Sequence, residues 1–502
     1  MKTKIYILLL MLLPLVSCND WLDITPKGQT EASDLLSDEK GYNSALAGVY
    51  YILSDTTLYG RELSYGMSDL LAQYWDISNN IHHSMYQLAQ YHYTETYASE
   101  KINAVWGKLY QGITQCNKIL ESLETNRNDI RYAGLIEGEA LALRAFIHME
   151  LFAYFGPVIR NEADLDKPAI AYRTKFDVIA LPFEPGREVL TKAKNDLLKA
   201  LDLFKEDPIL TNGRTQDGNT SLLDHQEVLN RRGNHMNYFA VLGLLARVEL
   251  ALLKPDEAYK YAERVIREGK NTGIFILSER SEMAAGSFAD IPYTKEMLFS
   301  LYDNKLYDNT DYTFMIDGKG EGNKTFVINS NLYTTFVNEI YGRIPDGAGT
   351  DNRLRYWFEP ASTDKSYYRI TKFKKANLLG GIGYAYEPEL PILRLSEIYY
   401  IACETQIGKN NTLALSYLND VRQSRNLDPI SGTPGNTELQ DYLLRDARKE
   451  FIGEGRMFLM YKRLFAPIYV KAGMIIEPLA ERFQLPIPED EYEYSPNVKP
   501  GK

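Results

Sequence analysis

The chain is short of the residues that build metal and redox sites, with three cysteines and six histidines in 502 residues. No HExxH pair, paired-cysteine motif or GxSxG nucleophile turn occurs, which removes the commonest sequence patterns of zinc proteases and serine hydrolases. Basic residues are the minority: 56 Lys and Arg stand against 67 Asp and Glu, a formal net charge of −11. That balance argues against broad nucleic-acid binding, which relies on clustered cations to displace counterions. An apolar run from Ile5 to Val16 stops at 12 residues, broken by Pro14, well short of the roughly 20 that a spanning helix needs. What remains is the composition of an ordinary globular protein, 45% hydrophobic and 25% charged, which excludes disorder, collagen and coiled coil. Length alone would suggest about three domains, and a chain this long buries a core without disulfides or metals. Tyrosine is the unusual count, at 37. A flat apolar ring with a hydroxyl suits recognition of flat polar ligands and packing between helices equally well.

The first residues read as a sorting signal. Lys2 and Lys4 precede the apolar run, and Leu15-Val16-Ser17-Cys18 resembles the bacterial lipobox, in which the cysteine thiol is acylated and the chain is cut before it. The expectation is a signal peptide at residues 1–17 and a lipidated, palmitate-bearing Cys18 at the head of the mature chain. Loss of Lys2 and Lys4 takes the formal charge to −13. Several acyl chains give stable anchoring where one is marginal. Only Cys116 and Cys403 then remain, both in helix-like sequence, and buried free thiols are expected.

Most long segments have helical periodicity. Trp106, Tyr110, Ile113 and Asn117 fall on one face of a helix from about Ala98 to Glu124. Ala142, Phe146, Met149 and Ala153 continue the spacing in a segment that stops at Gly156-Pro157. Val241, Leu245, Val248 and Leu252 form a stripe followed, across Lys254-Pro255, by Ala258, Ala262 and Val265, a pattern similar to a tetratricopeptide hairpin. A second such pair spans Ser396–Gly408 and Leu413–Arg425, not contiguous with the first. Further helices are expected at Asp38–Ser54, Arg187–Glu206, Glu438–Glu454 and Arg456–Leu464. Between them lie aromatic, irregular stretches, Tyr59–Tyr97 and Asn271–Pro391, with short strand-like pieces such as 324–328. Long loops of this kind in compact domains are usually functional.

Candidate chemistry fails on inspection. Gly318 to Thr325 nearly matches a phosphate-binding P-loop, but Asn323 replaces the glycine before the lysine and a strand-like piece follows where a helix is required. Asp317 to Gly322 imitates a calcium loop, yet Lys319 sits at a ligand position and Ile328 at the twelfth place. His82, His83 and His92 are close in sequence but lack partner ligands, and His148 lies in an apolar helix, where a core role fits best. No two carboxylates stand out as a glycosidase pair. No catalytic, metal or cofactor residues are expected.

Several stretches together resemble the SusD/RagB family of outer-membrane lipoproteins from Bacteroidetes. They are Cys18 to Gly28 (CNDWLDITPKG), Glu139 to Val158 with its Phe-Gly turn, Pro391 to Glu404, Leu418 to Leu427, Leu444 to Arg463 with its Glu-Gly-Arg helix break, and Leu485-Pro486-Ile487-Pro488 followed by Asn497. The resemblance runs in order along essentially the whole chain. It implies a mainly α fold, with tetratricopeptide-like hairpins forming a scaffold for long irregular aromatic-rich loops and a few short strands. It also implies one mature domain, residues 18–502, with variable regions at about 59–97 and 271–391. The implied role is a cell-surface subunit, lipid-anchored in the outer membrane and facing the exterior. It would capture oligosaccharide, or in an alternative reading peptide, for a SusC-like TonB-dependent transporter, without catalysis. Arg144, Arg394, Glu450 and Arg456 lie in or beside apolar helices, where a paired structural role is expected, and Trp106 lies on a core stripe. Ligand contact is expected instead from loop aromatics: Tyr74 and Trp75 before a polar turn-like run, Tyr341 before Ile344-Pro345-Asp346-Gly347, and Trp357 in a strand-like alternation. Replacing Cys18 by Ala should leave the protein uncleaved or soluble in cell fractionation; continued partitioning with outer membrane would sink the lipobox reading.

Overall fold

The computed structural model describes residues 35–494 except 76, 78–79, 215–226, 230, 283–290, 315–324, 327, 330–332, 335–350, 362–364, 366, 375–387 and 472–473. Ten helices carry the architecture: α1 (Glu39–Leu53), α2 (Thr96–Asn126), α3 (Ala133–Phe155), α4 (Gly186–Leu203), α5 (Tyr238–Ala251), α6 (Pro255–Thr272), α7 (Leu395–Gln406), α8 (Asn411–Ser424), α9 (Asn436–Glu450) and α10 (Arg456–Leu464). Their ends follow local chemistry. Asp38 caps α1 by accepting the Gly41 N–H, Asn237 and Asn410 cap α5 and α8, and α6 opens on Pro255 and closes on left-handed Gly273.

Each helix from α1 to α8 packs on the next in sequence. The two tetratricopeptide-like hairpins, α5–α6 and α7–α8, are therefore adjacent in space, because α6 lies directly on α7 although residues 273–394 separate them. That segment is an insertion into a continuous helical array. Its neck is an antiparallel ladder of β3 (Met297–Tyr302) and β7 (Glu389–Arg394), with Phe299 opposite Leu393 and Tyr302 opposite Glu389. Within it, β4 (Ile328–Asn329), β5 (Phe358–Pro360) and β6 (Tyr367–Ile370) form a sheet in the order β4-β6-β5. A small pair, β1 (Pro168–Ile170) and β2 (Glu184–Pro185), lies between α3 and α4. Helix α3 is buried at almost every position and is the centre of the core. Its carbonyl end is capped from outside: Lys462 Nζ donates to Gly156 O at 2.7 Å, and Leu485 N to Tyr154 O at 3.0 Å.

The helix expectations are close to what is observed. Arg456–Leu464 agrees at both ends, and Asp38 and Ser54 prove to be the caps of α1. Cys116 and Cys403 are free and buried, and burial pushes the Cys116 thiol up to about 12. His148 is a core residue: its Nδ1 donates to Arg144 O at 2.8 Å, its Nε2 accepts the Arg173 N–H at 3.0 Å, and burial lowers it to about 3. The alternation expected at 354–358 is not a strand. Asn352–Tyr356 is a helical turn capped by Asp351, and only from Phe358 does the chain extend.

The insertion and the C-terminal helices meet in a dry charge network. Arg353 donates to Asp351 at 2.8 Å, Asp446 at 2.9 Å and Glu450 at 2.9 Å. Arg425 clamps Glu296 at 2.7 Å and Glu450 at 2.6 Å. Arg394, at the end of β7, reaches Glu450 and Glu454, each at 2.6 Å. Lys372 Nζ pairs with Glu454, and Lys449 lies 3.9 Å from Asp351. Burial alone would raise Glu450, yet Arg425 and Arg394 hold its carboxyl well below the usual range. Asp446 is likewise held low by Arg353 against the opposing effect of burial. Nearby, buried Asp69 accepts the N–H groups of Gly453 at 2.6 Å and Gly455 at 3.0 Å. Gly455 has φ +70°, and a Cβ there would come within 1.9 Å of Leu63 O, so the Glu-Gly-Arg break requires glycine on both counts.

The other charged residues expected to be structural are also paired. Arg144 forks onto Asp196 with two bonds of 2.8 Å, and Arg456 donates to Glu150 at 2.9 Å. Because Glu450 and Asp446 titrate lower folded than unfolded, their stabilisation is complete above about pH 4.5 and is lost as pH falls through the folded values. The melting temperature should drop on acidification below that point. Glu450→Gln should cost about 3–5 kcal/mol by leaving guanidinium groups unpaired and should shrink the acid-side drop. A melting curve unchanged by the substitution would show that the network is dispensable.

Candidate functional site

The aromatics expected at the ligand surface lie elsewhere. Tyr74 and Trp75 are each 2% exposed and Trp357 is wholly buried. Trp75 Nε1 donates to Tyr65 O at 2.9 Å and its ring stacks on Phe326 at 5.7 Å. Tyr74 donates its hydroxyl to Arg448 O, and Trp357 donates to Ile291 O at 2.9 Å beneath Lys372, whose ammonium lies 3.9 Å from the ring centre. A polar run beside an aromatic raised the expectation of exposure, but each polar handle had a backbone carbonyl waiting inside. These three cannot offer open ring faces to a ligand in this conformation, which corrects the expected site. Tyr341 lies outside the described residues. Trp106 is buried as expected, its indole donating to Glu491 at 2.9 Å. His83 packs on Phe326 at 5.5 Å and is also core. Among the described residues no cluster of His, Cys, Asp and Glu has the geometry to hold a metal ion.

A different cleft, of about 760 Å³, has the composition of a binding site. One wall is the outer face of α1 with Asn43, Ala47, Tyr50 and Tyr51; the others are the segment Arg231–His235 and the turn Tyr302–Asn309 that leaves β3. The core stripe of α1 is Tyr42, Leu46, Val49 and Leu53, which turns Tyr51 outward, 70% exposed. Tyr302 ends a strand buried at every earlier position and is 48% exposed. The Arg231 guanidinium lies 5.8 Å from the Tyr302 ring centre.

The floor is rigid. Tyr50 donates to Glu139 at 2.6 Å and accepts the Met236 N–H at 3.0 Å, while His235 Nδ1 donates to Glu139 at 2.9 Å and its ring meets Tyr50 edge-on. Glu139 is held below its usual range despite burial, by His235 and Arg232. Two groups on this lining are unfinished. The side-chain amide of Asn43 is buried with neither its oxygen nor its nitrogen hydrogen-bonded. Asp303 accepts the Lys305 N–H through Oδ1 and interacts with the Asn309 side chain, its buried Oδ2 makes no full hydrogen bond, and burial raises its carboxyl above the ordinary value. Buried polar groups are normally satisfied; here the amide and the carboxylate oxygen lie beneath the cleft lining, closed to solvent, and are a local cost of that wall. Two open tyrosine faces on the cleft offer a surface for a ligand with flat C–H faces.

No local sequence pattern marks Asn43 or Asp303. Tyr51 was legible in principle, as an aromatic on the polar side of a helix whose core stripe is plain.

Residues 20–212 match the profile of a family described as SusD-like, starch-binding and associating with outer membrane, and residues 298–498 match the SusD family profile. Among solved structures, the chain is similar to a putative sugar binding protein from Bacteroides vulgatus, at 21% identity and a TM-score of 0.68, covering 92% of this chain and 98% of that one. A SusD-like carbohydrate binding protein from the same organism aligns at 18% identity and 0.68, over 92% and 99%. A SusD superfamily protein from Bacteroides thetaiotaomicron aligns at 20% identity and 0.67, again over 92% and 99%. At these identities the structural likeness is one of fold. No curated protein matches the chain.

An unpaired buried amide costs about 1–3 kcal/mol. Asn43→Leu should therefore hold or raise the melting temperature of the ligand-free protein. A fall of several degrees would mean that the amide makes bonds in solution and that the cleft is not unfinished there.

Proposed function

The chain belongs to the SusD/RagB family, and from that premise we propose that it is a cell-surface nutrient-binding lipoprotein that captures oligosaccharides at the α1 cleft. The observation that carries the reading is the pair of exposed tyrosines, Tyr51 and Tyr302, on one cleft. Sugar rings offer C–H faces that stack on such rings. Cys18 anchors the protein in the outer membrane with the cleft to the exterior, and the captured oligomer passes to a SusC-like TonB-dependent transporter. The role is binding without turnover. Among the described residues no helix is long and apolar enough to cross a membrane, so within them nothing competes with a lipid as the means of attachment.

The scaffold suits this work. Loop residues at the cleft rise from a helix and a strand whose other faces are core, so they are held in place before ligand arrives and little ordering is left to oppose binding.

Calorimetric titration of the lipid-free protein against panels of oligosaccharides and peptides tests the site and the ligand class separately. A stacking aromatic is worth about 1–3 kcal/mol by analogy with base stacking, or about 5- to 150-fold in affinity. Tyr51→Ala and Tyr302→Ala should each weaken oligosaccharide binding by that much with the melting temperature nearly unchanged, whereas Asn43→Leu, whose amide is closed to solvent, should leave affinity unchanged. Wild-type affinity in both tyrosine variants would move the site elsewhere. Binding of peptides alone would overturn the ligand class, and turnover of labelled glycan would end the reading of binding without catalysis.

A further inference from the structure

Residues 173–181, between β1 and β2, form a loop whose tip is apolar and whose backbone is pinned. Val178 is fully exposed, Ile179 is 63% exposed and Phe176 is 44% exposed. The Arg173 guanidinium donates to Ile179 O, Asp177 O and Asp177 Oδ1, each at 2.9 Å, and Asp177 Oδ1 also accepts the Ile179 N–H at 3.2 Å. Asn117 of α2 holds the base of the loop, donating to Arg173 O and Lys175 O at 3.2 Å. A contiguous apolar tip on a backbone held this firmly is a surface prepared for a partner.

Two features select a lipid interface as that partner. The first is charge. Asp177, the one carboxylate among residues 173–181, is engaged by Arg173, whereas the Lys118 ammonium lies 4.8 Å from the Phe176 ring centre and Lys175 is exposed. Apolar side chains bordered by amines fit an acyl layer beneath anionic phosphates. The second is where the chain enters the fold. Leu36 O accepts from Asn126 at 3.0 Å, so the first described residues lie on α2 nine positions beyond Asn117, about 14 Å along the helix. Cys18 stands 17 residues before Leu35, so its acyl chains reach no more than about 60 Å from that point. A tether of that length lets a lipidated Cys18 and the apolar tip meet one bilayer.

We propose that Phe176, Val178 and Ile179 insert shallowly into the outer leaflet and, with the acyl anchor, fix how the protein stands on the membrane. The proposal rests on the lipid-anchor reading of Cys18. It is tested with the lipidated full-length protein carrying Val178→Cys, labelled with a solvent-sensitive fluorophore and bound to phosphatidylethanolamine–phosphatidylglycerol vesicles. The native thiols Cys116 and Cys403 are buried, which makes the label selective. The expected result is a blue-shifted emission that loses roughly half its intensity when brominated acyl chains are included, the depth of an interfacial residue. Protein that floats with vesicles while the label stays water-exposed and unquenched would overturn the insertion. So would shielding that appears only when the transporter is co-reconstituted, which would mark the tip as a protein contact. Failure to float at all would instead overturn the anchor reading.

Discussion

Glu450 sits where water cannot reach, and three arginines from three different parts of the chain converge on it. Arg353 comes from the insertion, Arg394 from the strand that closes it, and Arg425 from the residue after α8. Charges taken out of water are tolerable only when every partner is in place. The network therefore acts less as a source of net stability than as a condition on assembly: neck, insertion and C-terminal helices must settle in one mutual register or leave a charge stranded. Lys372, lowered to about 8 by burial even beside Glu454, shows how dry the region is.

The fold was legible in the sequence because its signals are local. Capping residues, apolar stripes at helical spacing and the Phe-Gly and Glu-Gly-Arg breaks sit within a few residues of what they determine. The insertion was legible only as something irregular. That α6 and α7 touch across it depends on the β3–β7 ladder, a pairing between residues some ninety positions apart, which no short window contains. The aromatics failed for a related reason. Whether Trp75 or Trp357 faces solvent is decided by Tyr65 O and Ile291 O, acceptors that sequence neighbours do not announce. A polar turn beside a tryptophan looks the same whether its indole points at water or at a buried carbonyl.

The cleft inherits its rigidity from the core beneath it. Tyr50 and His235 line it and yet are tied to Glu139, a residue of the most buried helix, which is itself clamped by Arg232. The unsatisfied amide and carboxylate in this wall are a local cost carried by a scaffold with stability to spare, the usual relation between a site and the structure around it. The family described by the profiles and the chemistry of the cleft point the same way, and they do so from independent observations.

The neck of the insertion has an evolutionary consequence. Because β3 and β7 bring its ends together, lengthening an exposed turn within it costs mainly loop closure, which rises by about 0.6 kcal/mol for each doubling in length. Exposed residues between Tyr302 and Glu389, unlike the buried Phe314, Phe326 and Trp357 that pack into the core, are thus free to lengthen, shorten or change composition with little penalty to the helices. Selection for a new diet can rewrite one side of the molecule while the other side, which must stay compatible with the rest of the cell surface, is left alone.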